Sequence, residues 1–283
     1  MSKNDAFVTG KPKSEVLKPY IAYYYFDKKK KGESKKYIYH PHTRRAITVY
    51  KNSRIEFNGN TSRSIPDASQ KYFSAFAHTE PSSKHVEMLT PYNKIGIAFE
   101  PLGINHFIPE NLIDVVGSLE DLKFPYFDEK MEECLDRVFT YKEVDKKIEC
   151  LDNFFEMQFC GFQQTQIIKA VKILLNSNKK YFVQDLANEL NVGRKTLLRL
   201  FKTHLCCSVK DFIDIVQFRK AVAAYQTHID KPQLTSLAYE TDYYDQSEFI
   251  NHFKKITGFN PKNFFNGIVH LGKEDTYWTL VSK

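Results

Sequence analysis

The segment 182–202, FVQDLANELNVGRKTLLRLFK, constrains the fold of this chain more than any other stretch. Its first half has apolar residues three and four positions apart, which is the spacing of one buried face of a short helix. A tight turn at 191–193 follows, and the second half repeats the spacing with Leu197, Leu200 and Phe201. The pattern therefore predicts two short helices that pack across each other, a helix-turn-helix.

A second segment with the same organisation lies at 234–264. Leu237 and Ala238 belong to the buried face of its first predicted helix. Phe249 and Phe253 belong to the buried face of the second. Between the two units, the segment 209–226 is predicted to form one long helix that fixes their separation. One such unit occurs by chance in helical bundles, but two in tandem favour a C-terminal domain built to present two helices.

The positive charge of the chain is concentrated in the same region. Residues 162–283 contain 17 Lys and Arg against 11 Asp and Glu, whereas residues 1–161 contain 24 against 23. A basic C-terminal part is typical of a nucleic-acid-binding module, although spare lysines on a solvated face give the same excess. The charge alone does not decide between these interpretations, so the motifs must.

These motifs resemble those of one family in detail. Residues 163–268 resemble the DNA-binding domain of the AraC family of bacterial transcription regulators. The second unit of that family has IA, a Gly-Phe turn, SxF, FK and GxxP. The matching residues here are Leu237-Ala238, Asp242-Tyr243, Ser247, Phe249, Phe253-Lys254, Gly258 and Pro261, with Leu186-Ala187, Leu197 and Phe201-Lys202 in the first unit.

The sequence departs from the family pattern at several positions. Gly193 stands where a capping Ser is usual, and Asp242 replaces the turn Gly. Asp is among the few non-Gly residues that accept a left-handed backbone, so the turn is expected to form. Cys206 replaces a Gly, Val209 a Pro, and Gln217 an Arg of the linker helix. These changes bear on contact details more than on the fold.

The resemblance implies that the second helix of each unit enters the major groove of double-stranded promoter DNA, in successive groove segments. It also implies RNA polymerase as a partner, activation or repression of transcription, no enzymatic activity and no cofactor. Glu248 would contact a cytosine or form a local salt bridge. For each residue predicted to contact DNA, the alternative is a solvated surface residue without such a contact. The residues expected to face base edges are Lys195, Leu198, Arg199, Gln246, Asn251 and His252, and those expected to meet phosphates are Arg194, Lys202, Lys254, Lys255 and Lys262.

The N-terminal half has a different pattern. Between residues 20 and 107, short stretches rich in Ile, Val, Tyr and Phe alternate with polar or turn-forming groups, which predicts an antiparallel sandwich or a cupin-like barrel. The segment 95–108 resembles a strand and turn of the family's sensor domains. A pocket in this domain would hold a small apolar or aromatic effector, or the same residues would simply form core. The pocket residues are predicted to be Tyr23, Tyr25, Phe26, Tyr39 and Phe99.

A cupin-like metal enzyme fused to a helical domain is the alternative function. Five histidines raise it, because imidazoles that project into a barrel bind divalent metals. The only HxH motif contains Pro41 and therefore suggests a loop, so the absence of a metal site is the favoured interpretation. The five histidines are His40, His42, His78, His85 and His106.

The division of the chain predicted from these patterns has four parts and belongs to the α+β class. Residues 1–127 form the β-rich sensor or association domain, 128–162 a helical connector, 163–268 the DNA-binding domain and 269–283 a tail. The connector either forms a homodimer through its apolar face or packs on the sensor. Its segment 128–159 has the spacing of two helices.

Compartment and redox state follow from simpler features. No apolar run is long enough to span a membrane and the N-terminus lacks a signal-peptide core, so we expect a cytoplasmic protein. Five cysteines without CxxC spacing are typical of reduced thiols. The adjacent Cys206 and Cys207 are expected to be packing residues rather than a redox switch.

Overall fold

The computed structural model describes residues 7–76, 81–116, 123–177, 179–228 and 232–281. Strands dominate the N-terminal half and helices the C-terminal half. The strands are β1 Val8–Gly10, β2 Ile21–Lys29, β3 Lys35–Tyr39, β4 Arg45–Lys51, β5 Ser53–Asn58, β6 Thr61–Pro66, β7 Tyr72–Phe76, β8 Lys84–Met88, β9 Tyr92–Phe99, β10 Ile268–His270 and β11 Tyr277–Leu280. The helices are α1 Leu112–Val115, α2 Asp128–Thr140, α3 Val144–Gln158, α4 Thr165–Asn176, α5 Val183–Glu189, α6 Arg194–Leu205, α7 Val209–Thr227, α8 Leu234–Glu240, α9 Gln246–Thr257 and α10 Pro261–Gly267.

The strands form two sheets that face each other. The first sheet has the order β1-β2-β9-β4-β7, and all its pairs are antiparallel. The second has the order β10-β11-β3-β8-β6-β5, in which only β6 and β8 run parallel. This two-sheet sandwich followed by a helical domain confirms the α+β class predicted from the sequence.

The first sheet is buried on both faces, because successive side chains of a strand point to opposite sides. Tyr24 and Phe26 of β2 belong to the core that the sheet shares with α2 and α3. Tyr23 and Tyr25 point the other way, toward the second sheet. The sheet is therefore packed between the α2–α3 helices and the second sheet.

The α2–α3 hairpin confirms the two helices expected at 128–159. Its apolar residues, among them Leu135, Leu151 and Phe155, are buried in the core beneath the first sheet. The apolar face that could have formed a dimer interface is thus occupied within the chain. The geometry favours the connector alternative for this segment.

The segment 269–283 was expected to be a tail, and the structure corrects that expectation. Its strand β11 pairs with β3, so the C-terminal segment extends the second sheet of the N-terminal half. Trp278, the only tryptophan, stacks on Tyr37 with ring centroids 4.1 Å apart. Four residues are too few to give a period-two signal, which is why the sequence pattern did not reveal the strand.

The C-terminal helices divide into two clusters that share α7. The first cluster contains α4, α5, α6 and the N-terminal half of α7, and the second contains the rest of α7 with α8, α9 and α10. Phe212 and Phe218 of α7 are fully buried, one in each cluster. Helix α7 is therefore the strut expected from the sequence. Within the described residues no helix is both long and apolar enough to cross a membrane.

Candidate nucleic-acid interface and the cavity behind it

The first helix-turn-helix unit consists of α5 and α6. Leu186 and Ala187 of α5 and Leu197 and Phe201 of α6 are fully buried, and the small Ala187 allows the helices to cross closely. The turn between them uses a left-handed backbone at Asn191, with φ of 51°, a conformation that Asn accepts more readily than most residues. Burial of one face leaves the opposite face of α6 in solvent.

That exposed face of α6 carries a dense positive charge. All its predicted DNA contacts are exposed, and Leu198 is 39% exposed although it is a large apolar residue. No acidic group within the described residues pairs with the cations of this face, so they are available to an external anion. The residues of this face are Arg194, Lys195, Leu198, Arg199 and Lys202.

The second unit consists of α8 and α9. Asp242 has φ of 62°, which confirms that this residue takes the left-handed turn position of the family's Gly. Asp245 caps α9, since its carboxylate accepts a hydrogen bond of 2.7 Å from the backbone N–H of Glu248. The predicted contact residues that lie exposed here are Gln246, Asn251, Lys254 and Lys255 on α9 and Lys262 on α10.

Two residues of α9 are engaged inside the protein. The Nδ1 atom of His252 lies 2.6 Å from the Tyr243 hydroxyl, and its Nε2 atom is buried without a partner among the described residues. Burial lowers the pKa of His252 to about 4, so the ring is neutral at pH 7. The geometry does not favour His252 as a base reader. Glu248 forms an ion pair with Lys180, which is the local salt bridge named as one alternative.

Lys255 is also partly engaged, since its ammonium lies 3.0 Å from the carboxylate of Asp214 on α7. The two units therefore differ in the charge that they leave free. Among the described residues, α6 offers four cations without an acidic partner, whereas α9 offers Lys254 beside the neutral amides of Gln246 and Asn251.

A cavity of about 150 Å³ lies between the two sheets, next to the helical domain. Three of the five residues predicted for an effector pocket, Tyr23, Tyr25 and Tyr39, line this cavity. Phe26 and Phe99 do not, because they point to the opposite face of the first sheet and join the core with α2 and α3. This difference follows from the alternation of side chains along β2 and β9.

The cavity wall is rich in basic groups that sequence analysis did not single out. Arg45 is 2% exposed, and no carboxylate among the described residues pairs with it. Its Nε atom is buried without a hydrogen-bond partner. Lys94, 1% exposed, donates to the Tyr37 hydroxyl at 2.8 Å and lies 4.0 Å from Asp27. A buried cation is costly without a counter-charge, so Arg45 marks a place suited to an anion.

Arg45 also contacts the end of α6, the first of the two helices expected to enter the major groove (the recognition helices). Its Nη2 atom donates a hydrogen bond of 3.1 Å to the carbonyl of Leu205, the last residue of α6. Asn105 donates to the carbonyl of His204 at 3.0 Å. The last carbonyls of a helix have no partner within the helix, and a cation there is favourable. The N-terminal half thus caps α6.

The end of the second recognition helix is held in the same way. The Ser83 backbone N–H and hydroxyl both donate to the carbonyl of Ile256, at 2.9 and 3.0 Å. Because the Ser83 hydroxyl has only one proton, it accepts from Nδ1 of His40 at 2.8 Å. Nε2 of His40 then accepts from the hydroxyl of Thr279 at 2.8 Å. His40 lines the cavity, so it connects the cavity to α9.

Asp275 joins a third contact between the halves. Its carboxylate accepts from Nε2 of His42 at 2.8 Å and pairs with Arg219 of α7. It also lies 3.3 Å from Arg44. No sequence pattern signalled Asp275, Ser83 or Arg45, because their partners are distant in sequence and two of the contacts are to backbone.

The histidines of the metal-enzyme alternative do not converge. His40 is bonded to two hydroxyls, His85 is exposed and His106 stacks on Tyr20 at 3.9 Å. His78 lies outside the described residues. Within the part of the chain that the structure describes, no group of three His, Cys, Asp or Glu could hold a metal ion.

Comparison with known proteins agrees with the expected domain. Residues 186–267 match a family described as a helix-turn-helix domain, and this segment is an AraC-type helix-turn-helix domain. The segment covers less than half of the chain. A comparison with curated proteins found no match.

Solved structures similar to this chain include ToxT from Vibrio cholerae. One has 12% sequence identity, covers 86% of this chain and 98% of that chain, and gives a TM-score of 0.49. Wild-type ToxT with an unsaturated fatty acid bound has 13% identity, covers 97% and 100%, and gives a TM-score of 0.47. ToxT bound to (E)-4-(8-methylnaphthalen-1-yl)but-3-enoic acid has 11% identity, covers 86% and 98%, and gives a TM-score of 0.46.

Proposed function

We propose that this protein is a sequence-specific transcription regulator that places α6 and α9 in successive major-groove segments of promoter DNA. The observation that carries the proposal is the exposed, unpaired cationic face of α6 on a helix-turn-helix scaffold. Helix α7 holds the second recognition helix at a fixed distance from the first, as reading of one DNA face requires. In this proposal residues 163–268 bind DNA, residues 1–127 regulate that binding, and RNA polymerase is the partner that the bound protein recruits or obstructs.

Selection of bound DNA from a random pool tests this function. We expect enrichment of one site with two conserved blocks whose centres lie about 10 base pairs apart, since two helices on one DNA face are separated by about one helical turn. The same selection with Lys195→Ala and Arg199→Ala combined should lose one block and keep the other. Recovery of unrelated sequences after repeated rounds would contradict the proposal.

The proposal includes an effector in the cavity between the sheets, and the cavity favours an anion with an aromatic or apolar body. Arg45 supplies a buried charge without a carboxylate partner among the described residues, and tyrosines form much of the wall. Binding of an anion to Arg45 would provide the missing counter-charge and an acceptor for its Nε–H group. The tyrosine rings would cover the apolar body of the ligand.

The same geometry supports a route from the cavity to DNA binding. Arg45 contacts the last residue of α6 directly, and His40 contacts the last turn of α9 through Ser83. A ligand that moves either side chain would change the hold on one recognition helix. Because a ligand shifts an equilibrium only by its differential affinity, the DNA-bound and free arrangements must differ in these contacts.

Thermal denaturation with matched ligands tests the anion site. We expect 2-naphthoate to raise the melting temperature of the protein and the uncharged 2-naphthamide to leave it unchanged, because only the carboxylate pairs with Arg45. Arg45→Met should abolish the shift, and Lys36→Met, a change at an exposed lysine outside the cavity, should retain it. Equal shifts with acid and amide, or no shift with either, would count against an anionic effector.

A further inference from the structure

Two thiols meet across the α2–α3 hairpin. Cys134 of α2 and Cys150 of α3 have their sulfur atoms 3.3 Å apart. Both side chains are half-buried, so a small solute can reach them. Neither residue belongs to the DNA-binding surface or to the cavity described above.

The backbones at these two positions also lie close together. The sulfur of Cys134 lies 3.4 Å from the carbonyl oxygen of Cys150, and the sulfur of Cys150 lies 3.7 Å from the carbonyl oxygen of Cys134. Each sulfur therefore lies next to the other residue's main chain. A disulfide requires sulfur atoms about 2 Å apart and side chains that point at each other. The two sulfur atoms therefore need to approach each other by about 1.3 Å for the bond to form.

The other three cysteines have no such arrangement. Cys160 is exposed and donates to the carbonyl of His106 at 3.2 Å. Cys206 and Cys207 are adjacent in sequence, and the buried Cys207 lies against Arg45. The pair across the hairpin thus stands out by geometry.

We propose that Cys134 and Cys150 are an oxidisable dithiol pair that closes to an intramolecular disulfide when the protein meets a peroxide. The Cys150 thiolate attacks one oxygen of hydrogen peroxide, an S–O bond forms, the O–O bond breaks, and the released hydroxide takes a proton to become water. The Cys134 thiol then attacks the Cys150 sulfur, an S–S bond forms, the S–O bond breaks, and a second water leaves with the proton of Cys134. Two thiols and one peroxide give one disulfide and two waters.

The burial of the two thiols bears on which one reacts with the peroxide first and which one then forms the disulfide. Burial, together with the hydrogen bond to Cys150, raises the pKa of Cys134 well above its ordinary value, so this thiol stays protonated at neutral pH. A protonated thiol is a poor first nucleophile toward a peroxide but can resolve a sulfenic acid held in contact with it. In the proposal Cys150 is therefore the thiol that is oxidised first, and the two single variants described below test this order.

The disulfide would connect two helices whose apolar faces form the core with the first sheet. It would close the hairpin into a covalent loop and remove freedom from the unfolded chain. Oxidation is therefore expected to raise the melting temperature of the N-terminal half, and reduction to lower it again.

Differential alkylation of the full-length protein, followed by peptide mass mapping, tests the pair. After treatment with hydrogen peroxide we expect two of the five cysteines to resist alkylation. The peptides of Cys134 and Cys150 should be recovered cross-linked, lighter by two hydrogen atoms, and dithiothreitol should restore both thiols. Cys160→Ser, a matched change at an exposed thiol, should leave the cross-link unchanged.

Two single variants keep the test decisive. In Cys134→Ser we expect the sulfenic acid of Cys150 to persist and to react with dimedone, because its resolving thiol is gone. In Cys150→Ser we expect Cys134 to remain reduced at the same peroxide concentration. If wild-type protein gives no cross-linked peptide, or Cys160 is oxidised while Cys134 and Cys150 remain reduced thiols, the pair is not a redox site.

Discussion

Protonation of His40 and His42 alone is expected to make the protein about 4 kcal/mol less stable at pH 5.0 than at pH 7.5, because both rings are neutral in the folded state. Burial lowers the pKa of each to about 3, with the charge of Arg219 the next cause. The hydrogen bonding of His42 also requires a neutral ring, since its Nδ1 atom accepts from the backbone N–H of Arg44 at 2.9 Å. A protonated ring would lose that bond.

The direction of the effect follows from proton binding. The unfolded chain takes up a proton on each histidine as the pH falls below about 6.5, whereas the folded protein does not until about pH 3. Stability is therefore fully present above about pH 6.5 and falls as the pH decreases toward 3. Each of the two histidines contributes about 2 kcal/mol of the loss between pH 7.5 and 5.0. His106 and His252, with pKa values lowered to about 4 by burial, act in the same direction.

Urea unfolding at the two pH values measures the effect. The loss of unfolding free energy between pH 7.5 and 5.0 should be smaller by about 2 kcal/mol in His42→Gln, because one titrating group is removed. His270→Gln changes an exposed histidine on β10 and should keep the full difference. A wild-type protein with equal stability at both pH values would show that His40 and His42 are not buried as described.

The sequence predicted the helical domain well and the contacts between the halves poorly. Apolar spacing at Leu197 and Phe201, or at Phe249 and Phe253, reports local burial, and the structure places all four in the core. The left-handed turn at Asp242 was also predictable, since it depends on one residue type.

The features that the sequence did not predict depend on contacts between residues far apart in the chain. Arg45 begins a strand and resembles any surface cation in the sequence, yet its guanidinium is buried against α6. Short or polar strands such as β6, TSRSIP, and β11, YWTL, give no pattern that distinguishes them from loops. His252 matched the family position of a base reader, but its ring is engaged by Tyr243 from the turn.

The two recognition helices should differ in how much sequence discrimination they supply. Helix α6 presents Lys195 and Arg199 free of acidic partners among the described residues, and both suit guanine. On α9 the side chain of Gln246 already accepts from the Thr235 hydroxyl at 3.1 Å, and His252 faces Tyr243. The second helix is left with Asn251 as its least encumbered reader. We therefore expect α6 to supply most of the sequence discrimination and α9 mainly to position the domain.

Replacement of both cationic readers, Lys195→Ala with Arg199→Ala, should weaken binding to the selected site by about 3 kcal/mol, roughly 100-fold, and weaken binding to scrambled DNA far less. Gln246→Ala with Asn251→Ala should cost only about tenfold on the selected site, because Gln246 is already engaged by Thr235 and Asn251 is left as the main contact of α9 with base edges. Lys202→Ala, at a phosphate-facing position, should lower affinity equally for both DNAs and reduce the salt dependence by about one counterion.

Fluorescence anisotropy titrations with both DNAs at two salt concentrations separate these effects. A larger loss of discrimination from the α9 pair than from the α6 pair would reverse the assignment, since the neutral amides would then carry the sequence information.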